Sequence, residues 1–404
     1  MKTSHSTTDL AHTLSPANIA VRRSRSVTAG ENALYDTQAA CLVFCCGTVF
    51  KVSSLPGLVS EKMLSDTLWL YLFMLAADAL CLAAALSFSF ADGDRLSEGT
   101  LSRRVFAALS SLWLMLKGFV YFAYTVVFLM VDLFDSVPPY VVVIVLALPV
   151  LYLGIKGLRP IARCAELFAP LLFIVIVFNL AMLETDLDFG RNLPVAAMPA
   201  KDFFSRGLLY GMWLGDLLPL AFTRTERKGK FPFAVVGSGI SFALVAVVAA
   251  VAVAMYGAAL PFAYNMLIRL AGFNKLSLEI GRMEWAAIFV VIVMAVLSLS
   301  LHLWGAGEGC RRAVGSPLPA RILFGAGIIV IPLALDDLRA VTGFSVSSFG
   351  YAAFAVSLFF AGMLFLLTAK AKRLAREQTP PAPNTEDGTL SAPESTGKKE
   401  AADA

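Results

Sequence analysis

Gly211-Met212-Trp213-Leu214-Gly215-Asp216 decides how this chain is read, because it interrupts an apolar run from Phe203 to Phe222. It puts glycines and a carboxylate at bilayer depth, where irregular backbone and ionisable groups persist only if buried in protein or facing a cavity. A second interrupted segment stands near the start, where Leu34 to Phe50 passes Gly47 and Thr48 and then reaches Lys51 and Pro56. Broken hydrophobic segments at corresponding places in two halves of a chain point to a transporter's midplane site. Gly47, Thr48, Gly211, Gly215 and Asp216 are therefore candidate ligand contacts.

Working outward, 58% hydrophobic and only 15% charged residues exclude an ordinary soluble domain. About ten apolar stretches are long enough for a hydrocarbon core of roughly 30 Å. They fall at 34–56, 65–90, 105–131, 139–154, 165–183, 203–222, 232–256, 284–304, 319–335 and 346–369. The expected fold is an all-α membrane bundle. Cations recur in alternate connections: Arg22, Arg23 and Arg25; Arg95, Arg103 and Arg104; Lys156, Arg159 and Arg163. They continue with Arg224, Arg227, Lys228 and Lys230, then Arg311, Arg312 and Arg321, then Lys370, Lys372, Arg373 and Arg376. Positive loops stay cytoplasmic, so both termini are expected inside and the net charge of +4 records topology rather than nucleic-acid binding.

Residues 1–32 are polar and carry no secretory signal pattern. The tail, 371–404, is rich in Pro, Thr, Glu, Ala and Lys and has too little apolar surface to fold. Both are expected to be disordered and cytoplasmic. Cys41 and Cys45 have the i, i+4 spacing of a soft metal pair, but with Cys46 they read as small packing residues. His302 has no carboxylate or thiol at ligand spacing and reads as a packed or cavity-lining histidine. No phosphate loop, nucleophile elbow or zinc-helix motif is present, so neither an enzyme, a cofactor nor a metal centre is expected.

Intramembrane charges carry more information, since they usually face a partner or a cavity. Lys117 lies midway along the third span, with Gly118, Tyr121 and Tyr124 following it on one face, and Asp78 lies midway along the second. Counting outward from the intervening loop puts Lys117 and Asp78 at nearly equal depth. An ion pair between them is the expectation, serving either helix packing or transport and gating. Lys51 is expected to snorkel to the interface.

Three stretches carry a family resemblance. Gly154-Ile155-Lys156-Gly157-Leu158-Arg159-Pro160-Ile161-Ala162-Arg163-Cys164-Ala165-Glu166, continuing to Pro170, resembles the fourth-to-fifth helix junction of the endospore germination permeases. These are the B-type subunits of spore germinant receptors, within the amino acid, polyamine and organocation transporter superfamily. Leu260-Pro261-Phe262, Leu267-Ile268-Arg269 and Ile280-Gly281-Arg282-Met283-Glu284-Trp285 resemble that family's segment before the eighth helix. Gln38, Gly47, Leu55-Pro56, Asp66 and Trp69 fall at similar intervals near the start. The likeness spans roughly 33–370. Departures are Gly281-Arg282 where the family has an acidic-arginine pair, and Lys156 where an acidic residue is common.

The resemblance implies a five-plus-five inverted repeat, about 33–184 and 201–370, with helices one and six discontinuous around a central site. It implies a receptor subunit in the inner spore membrane that binds a small nutrient germinant, an amino acid foremost. Its partners would be an A-type membrane subunit and a C-type lipoprotein, with lipid around the bundle. The rival readings are a proton-coupled amino acid transporter, with Lys117 or Asp216 titrating, and a ligand-gated water or ion channel. Gly47, Thr48, Lys117, Tyr121, Gly211, Gly215 and Asp216 are the candidate ligand residues. Asp78, Arg282 and Glu284 are candidate structural or gating residues. Arg282 and Glu284 stand beside a stretch, Phe262 to Gly272, that reads either as an in-plane outer helix covering the route to the site or as an ordinary loop with snorkelling charges.

Overall fold

The long apolar runs become helices, as a hydrocarbon solvent demands, since only intrasegment hydrogen bonding satisfies the backbone there. The computed structural model describes residues 33–63, 66–92, 101–133, 137–183, 187–193, 197–225, 232–263, 265–273, 284–334 and 339–377. The expected disordered segment 1–32, most of the tail and Arg282 lie outside these residues. In chain order the first half contains α1 (Asp36–Ser53), α2 (Leu55–Met63), α3 (Thr67–Asp92), α4 (Leu101–Asp132), α5 (Pro139–Lys156) and α6 (Leu158–Ala181). The second contains α7 (Ala200–Gly207), α8 (Pro232–Tyr256), α9 (Met266–Gly272), α10 (Glu284–Val314), α11 (Leu318–Ala334), α12 (Arg339–Ser345) and α13 (Phe349–Glu377). The helix α13 runs past the boundary expected at 370.

Among the described residues, seven helices are long and apolar enough to cross a membrane, or eight if α1 and α2 count as one bent span. The chain is a multi-pass integral membrane protein. Gly157, at φ +104°, makes the turn from α5 into α6, a left-handed conformation that L side chains rarely adopt. The 32 residues of α4 and the 31 of α10 form the centre, with 78% of their most apolar windows buried. Against this pair pack α5, α11 and α1, while α8 lies along α1 and α13 along α3. The flanking helices α5, α6 and α13 leave most of their apolar surface outward, where lipid covers it.

Two interruptions depart from ideal helices, and one is displaced from its expected place. Gly47 and Thr48 do not break the first span. α1 runs through both, because a lone glycine in an apolar helix leaves the hydrogen-bond ladder intact, and Thr48 returns its hydroxyl to the Phe44 carbonyl at 2.6 Å. The chain instead bends by 47° between α1 and α2, around Ser54. Gly47 serves packing, since a Cβ there would stand 3.2 Å from Ser241 Oγ and 3.5 Å from Leu217 Cδ1.

The sixth expected span, by contrast, is broken where the sequence placed the break. After α7 come a 3-10 turn, Leu208–Trp213, then extended backbone at Leu214 and a second 3-10 turn, Leu218–Phe222. Its far end is tied to the start of the first span by a two-residue parallel pairing of β1 (Ala33–Leu34) with β2 (Arg224–Thr225). Both interrupted segments therefore meet at one end of the bundle.

Candidate functional site

The break is made by Gly215, whose φ of +73° turns the chain after the extended Leu214. It frees backbone groups that no helix ladder satisfies, and side chains from three other helices take them up. Leu214 O accepts from Lys117 Nζ of α4 and, at 3.2 Å, from Ser357 Oγ of α13. The Gly215 N–H donates to Asp78 Oδ1 of α3 at 2.8 Å. Met212 O faces the Tyr121 hydroxyl of α4 at 3.0 Å.

Around this backbone stand four charged side chains, none more than 2% exposed. Asp216 is the hub. Its Oδ2 lies 2.8 Å from Lys51 Nζ, and its Oδ1 lies 2.6 Å from Lys117 Nζ and in short contact with the Tyr121 hydroxyl. Lys51 Nζ also lies 3.1 Å from Asp78 Oδ2. Two ammonium and two carboxylate groups give a neutral tetrad. Neutrality matters because an unmatched charge at this depth costs several kcal/mol, roughly, even after relaxation.

Two expectations are corrected here. Lys117 pairs with Asp216 rather than with Asp78. Equal depth along α3 and α4 brings Lys117 and Asp78 to the same cluster, but the break lies between them and claims one ion from each side. Lys51 does not snorkel. It lies one helical turn from Gly47, whose carbonyl it faces at 3.4 Å, on the inward side of α1, and is 2% exposed. Beside the bend at Ser54, the Tyr71 hydroxyl donates to the Lys51 carbonyl at 3.0 Å.

Of the other candidate residues, Tyr121 is at the centre, stacked on Phe50 with ring centroids 4.1 Å apart and with the His302 ring edge-on at 5.5 Å. His302 is fully buried, and its Nδ1 meets Ser298 O at 2.8 Å, so that nitrogen carries the proton. His302 Nε2 and Ser298 Oγ, a turn apart on α10, are buried and meet no hydrogen-bond partner among the described residues. Thr48 sits apart from the tetrad in a 2.8 Å hydroxyl pair with Ser241 of α8. Gly211 is a packing glycine: a Cβ there would come within 2.4 Å of Phe354 N and 2.5 Å of Gly350 O on α13. Glu284 begins α10, with its carboxylate against Gly272 at the end of α9. The short helix α9 is more deeply seated than a surface-lying helix, with Met266, Leu267, Ile268, Leu270 and Ala271 buried and only Arg269 outward among its central residues.

A further charged group went unread in the sequence because it stands among topology-setting cations. Glu308 of α10 holds Arg311 at 2.6 Å and Arg312 at 3.1 Å, and Arg312 Nη2 donates to Phe222 O at 2.9 Å. The last carbonyl of the second 3-10 turn is thus fixed to α10. The spacing Glu308 to Arg312, one helical turn, was the available signal. Gln38 and Glu166, which stand in two separate motifs, meet at 3.2 Å. Asp66 accepts from the Ala197 and Met198 N–H groups at 3.0 and 2.8 Å and so fixes the approach to the broken span.

A helical membrane bundle with a broken span at a buried ionic centre is a transporter-like fold. Solved structures agree on the fold: two crystal structures of the Eremococcus coleocola manganese transporter, one of a mutant and one with an aromatic bis-isothiourea substituted compound, resemble it. Each has a TM-score of 0.52 and 13% identity, and covers 83% of this chain and 78% of the transporter. No curated protein matches. The model of the spore permease family, described as spore germination protein, matches residues 105–335, more than half of the chain, and the chain belongs to that family. The matched region includes Lys117, Tyr121 and Asp216, whereas Lys51 and Asp78 precede it.

Proposed function

We infer that this chain is the membrane-embedded, ligand-binding subunit of a spore germinant receptor. A small nutrient, an amino acid foremost, binds at the break around Gly215, and the chain responds by changing conformation rather than by catalysis. The observation that carries this reading is the broken segment itself, whose Leu214–Gly215 peptide lies outside any helix ladder and is set in a buried neutral tetrad. A carbonyl freed at such a break suits a ligand ammonium, and a freed N–H suits a carboxylate, the two ends of this one peptide pointing to opposite sides. Ten spans in a five-plus-five inverted repeat over 33–370, with the first and sixth interrupted, accommodate both the bend at Ser54 and the break at Gly215. On this reading both termini are cytoplasmic, the membrane is the inner spore membrane, and A-type and C-type receptor subunits are the partners.

The cargo named for the structural neighbours does not suit this centre. Lys51 and Lys117 bring two ammonium groups onto Asp216, which repel a divalent cation. Among the described residues no group of three His, Cys, Asp or Glu side chains is placed to hold a metal ion.

Binding becomes a signal only if the ligand favours one conformation over another. The test is Gly215→Leu. Leucine at φ +73° is strained, and its Cβ would meet Leu218 at 2.8 Å. Spores carrying it are expected to hold normal amounts of the protein in the membrane and to lose the nutrient response. Normal germination would overturn the reading. Accumulation of an amino acid by the purified chain alone in liposomes would mark a proton-coupled transporter instead, and ligand-gated flux without accumulation a channel.

A further inference from the structure

Buried polar atoms in folded proteins are nearly always hydrogen-bonded, so an unpartnered pair in the interior points to a group that arrives from elsewhere. Such a pair stands beside the tetrad. His302 and Ser298 are fully buried on α10, and neither His302 Nε2 nor Ser298 Oγ meets a hydrogen-bond partner among the described residues. One helical turn separates them, which puts both side chains on one face of α10. Tyr121 connects this face to the site: its hydroxyl touches Asp216 Oδ1, and its ring stands edge-on to the His302 ring at 5.5 Å. We propose that His302 Nε2 and Ser298 Oγ form a side-chain subsite of the germinant site, and that the ligand is an amino acid whose side chain ends in an uncharged hydroxyl or carboxamide. The inference rests on the reading of the break as the germinant site and adds to it the class of amino acid.

The chemistry of the two atoms selects the ligand. His302 Nδ1 faces Ser298 O at 2.8 Å and carries the proton, which leaves Nε2 with a lone pair that only accepts. A serine hydroxyl donates one hydrogen and accepts in return. The pair therefore suits a group that both donates and accepts: a hydroxyl, or a carboxamide with its N–H toward Nε2 and its carbonyl toward Ser298 Oγ. An aliphatic side chain would leave both atoms unsatisfied, and a site with buried hydrogen-bonding groups rejects an analogue that lacks the matching group. Charge is excluded for a different reason. Lys51, Lys117, Asp78 and Asp216 already sum to zero, and the ammonium and carboxylate of an amino acid backbone cancel each other. An ionised side chain would add an unmatched charge, the costly outcome in a low-dielectric interior. Gly118 of α4, next to the His302 β-carbon, and Phe324 of α11, which packs on Gly118, bring no polar side-chain atom that could match it.

Ligand pairs of matched shape read the subsite directly. The full chain in lipid nanodiscs is compared as wild type, as His302→Phe, which keeps a ring but no acceptor, and as Ser298→Ala, which removes only the hydroxyl. Binding is followed by the rise in melting temperature with ligand, for threonine against valine and for asparagine against leucine. Wild type is expected to bind threonine or asparagine about tenfold or more tightly than its apolar counterpart, and both variants to narrow that preference to about twofold or less. Without ligand, Ser298→Ala is expected to melt no lower than wild type, since the hydroxyl it removes makes no bond, and it keeps the test open should His302→Phe fold poorly. A clear drop would show a resident partner at the pair and would overturn the subsite. So would equal binding of both ligands in each pair to wild type, or a preference that survives in both variants, and the germinant site at the break would stand in either case. If no standard amino acid binds wild type and Gly215→Leu spores germinate normally, the site reading falls and the subsite with it.

Discussion

Lys51 and Lys117 come from different helices and converge on one carboxylate, so Asp216 rather than either lysine sets the geometry of the centre. Its importance was legible in the sequence, because a carboxylate after Gly215 in an apolar run has few bland explanations. The partner was not. Depth along two helices locates charges to about one turn, whereas pairing depends on side-chain direction and on where a broken segment inserts between helices. Lys51 misled for a related reason: a lysine near a span's end usually snorkels, and only the bend at Ser54 shows that the span continues into Leu55–Met63. The corrected pairing predicts unequal couplings. In double-mutant cycles read by melting, Lys117→Met with Asp216→Asn should show a coupling of about 1–3 kcal/mol, and Lys117→Met with Asp78→Asn less than about 0.5 kcal/mol. Equal couplings would mean that charge proximity alone, and not the contact at 2.6 Å, holds the tetrad.

At the scale of elements, the sixth span shows what glycine patterning can and cannot say. Gly211 and Gly215 announced an interruption, and it is there, yet only Gly215 makes it. Gly211 and Gly350 instead let the broken segment and α13 touch backbone to backbone, a contact between segments far apart in sequence that no local pattern encodes. A Cβ on Gly350 would stand 1.8 Å from Leu209 O, a separation that forces the two segments apart. Gly350→Ala is therefore expected to destabilise the chain by about 1–3 kcal/mol through overpacking. Gly362→Ala, on the same helix with open space around it, is expected to be neutral or stabilising by up to about 1 kcal/mol. Melting of the two variants checks the contrast, and equal behaviour would show that the segment does not rely on α13 for its position. Gly47, read by the same rule as Gly215, illustrates the limit: a glycine inside a helix and a glycine at a break look alike until φ is known.

Across the whole molecule, the two interrupted segments are tied at the end of the bundle that carries Arg311 and Arg312. Ala33–Leu34 pairs with Arg224–Thr225, and Arg312, held by Glu308, binds the Phe222 carbonyl. The part of the sixth span that follows the break is thus clamped at both ends, by the tetrad at Gly215–Asp216 and by this tie. On the proposed function, a ligand bound at the break would reach the rest of the chain by moving that part, because the other face of the break packs closely against α13 at Gly211. A lock on the tie separates binding from response. Leu34 and Thr225 are partners in the parallel pairing, and neighbouring strands stand about 4.7–4.9 Å apart, within the Cα range of a disulfide. Leu34→Cys with Thr225→Cys, made in a chain whose six native cysteines are replaced, can be oxidised and reduced at will. Reduced protein is expected to show ligand-dependent changes in hydrogen exchange over residues 218–225. Oxidised protein is expected to lose them while still binding the amino acid, and added thiol to restore them. Changes that persist in the oxidised form would mean that the movement driven by the ligand leaves the tie closed and passes through α10 or α13 instead.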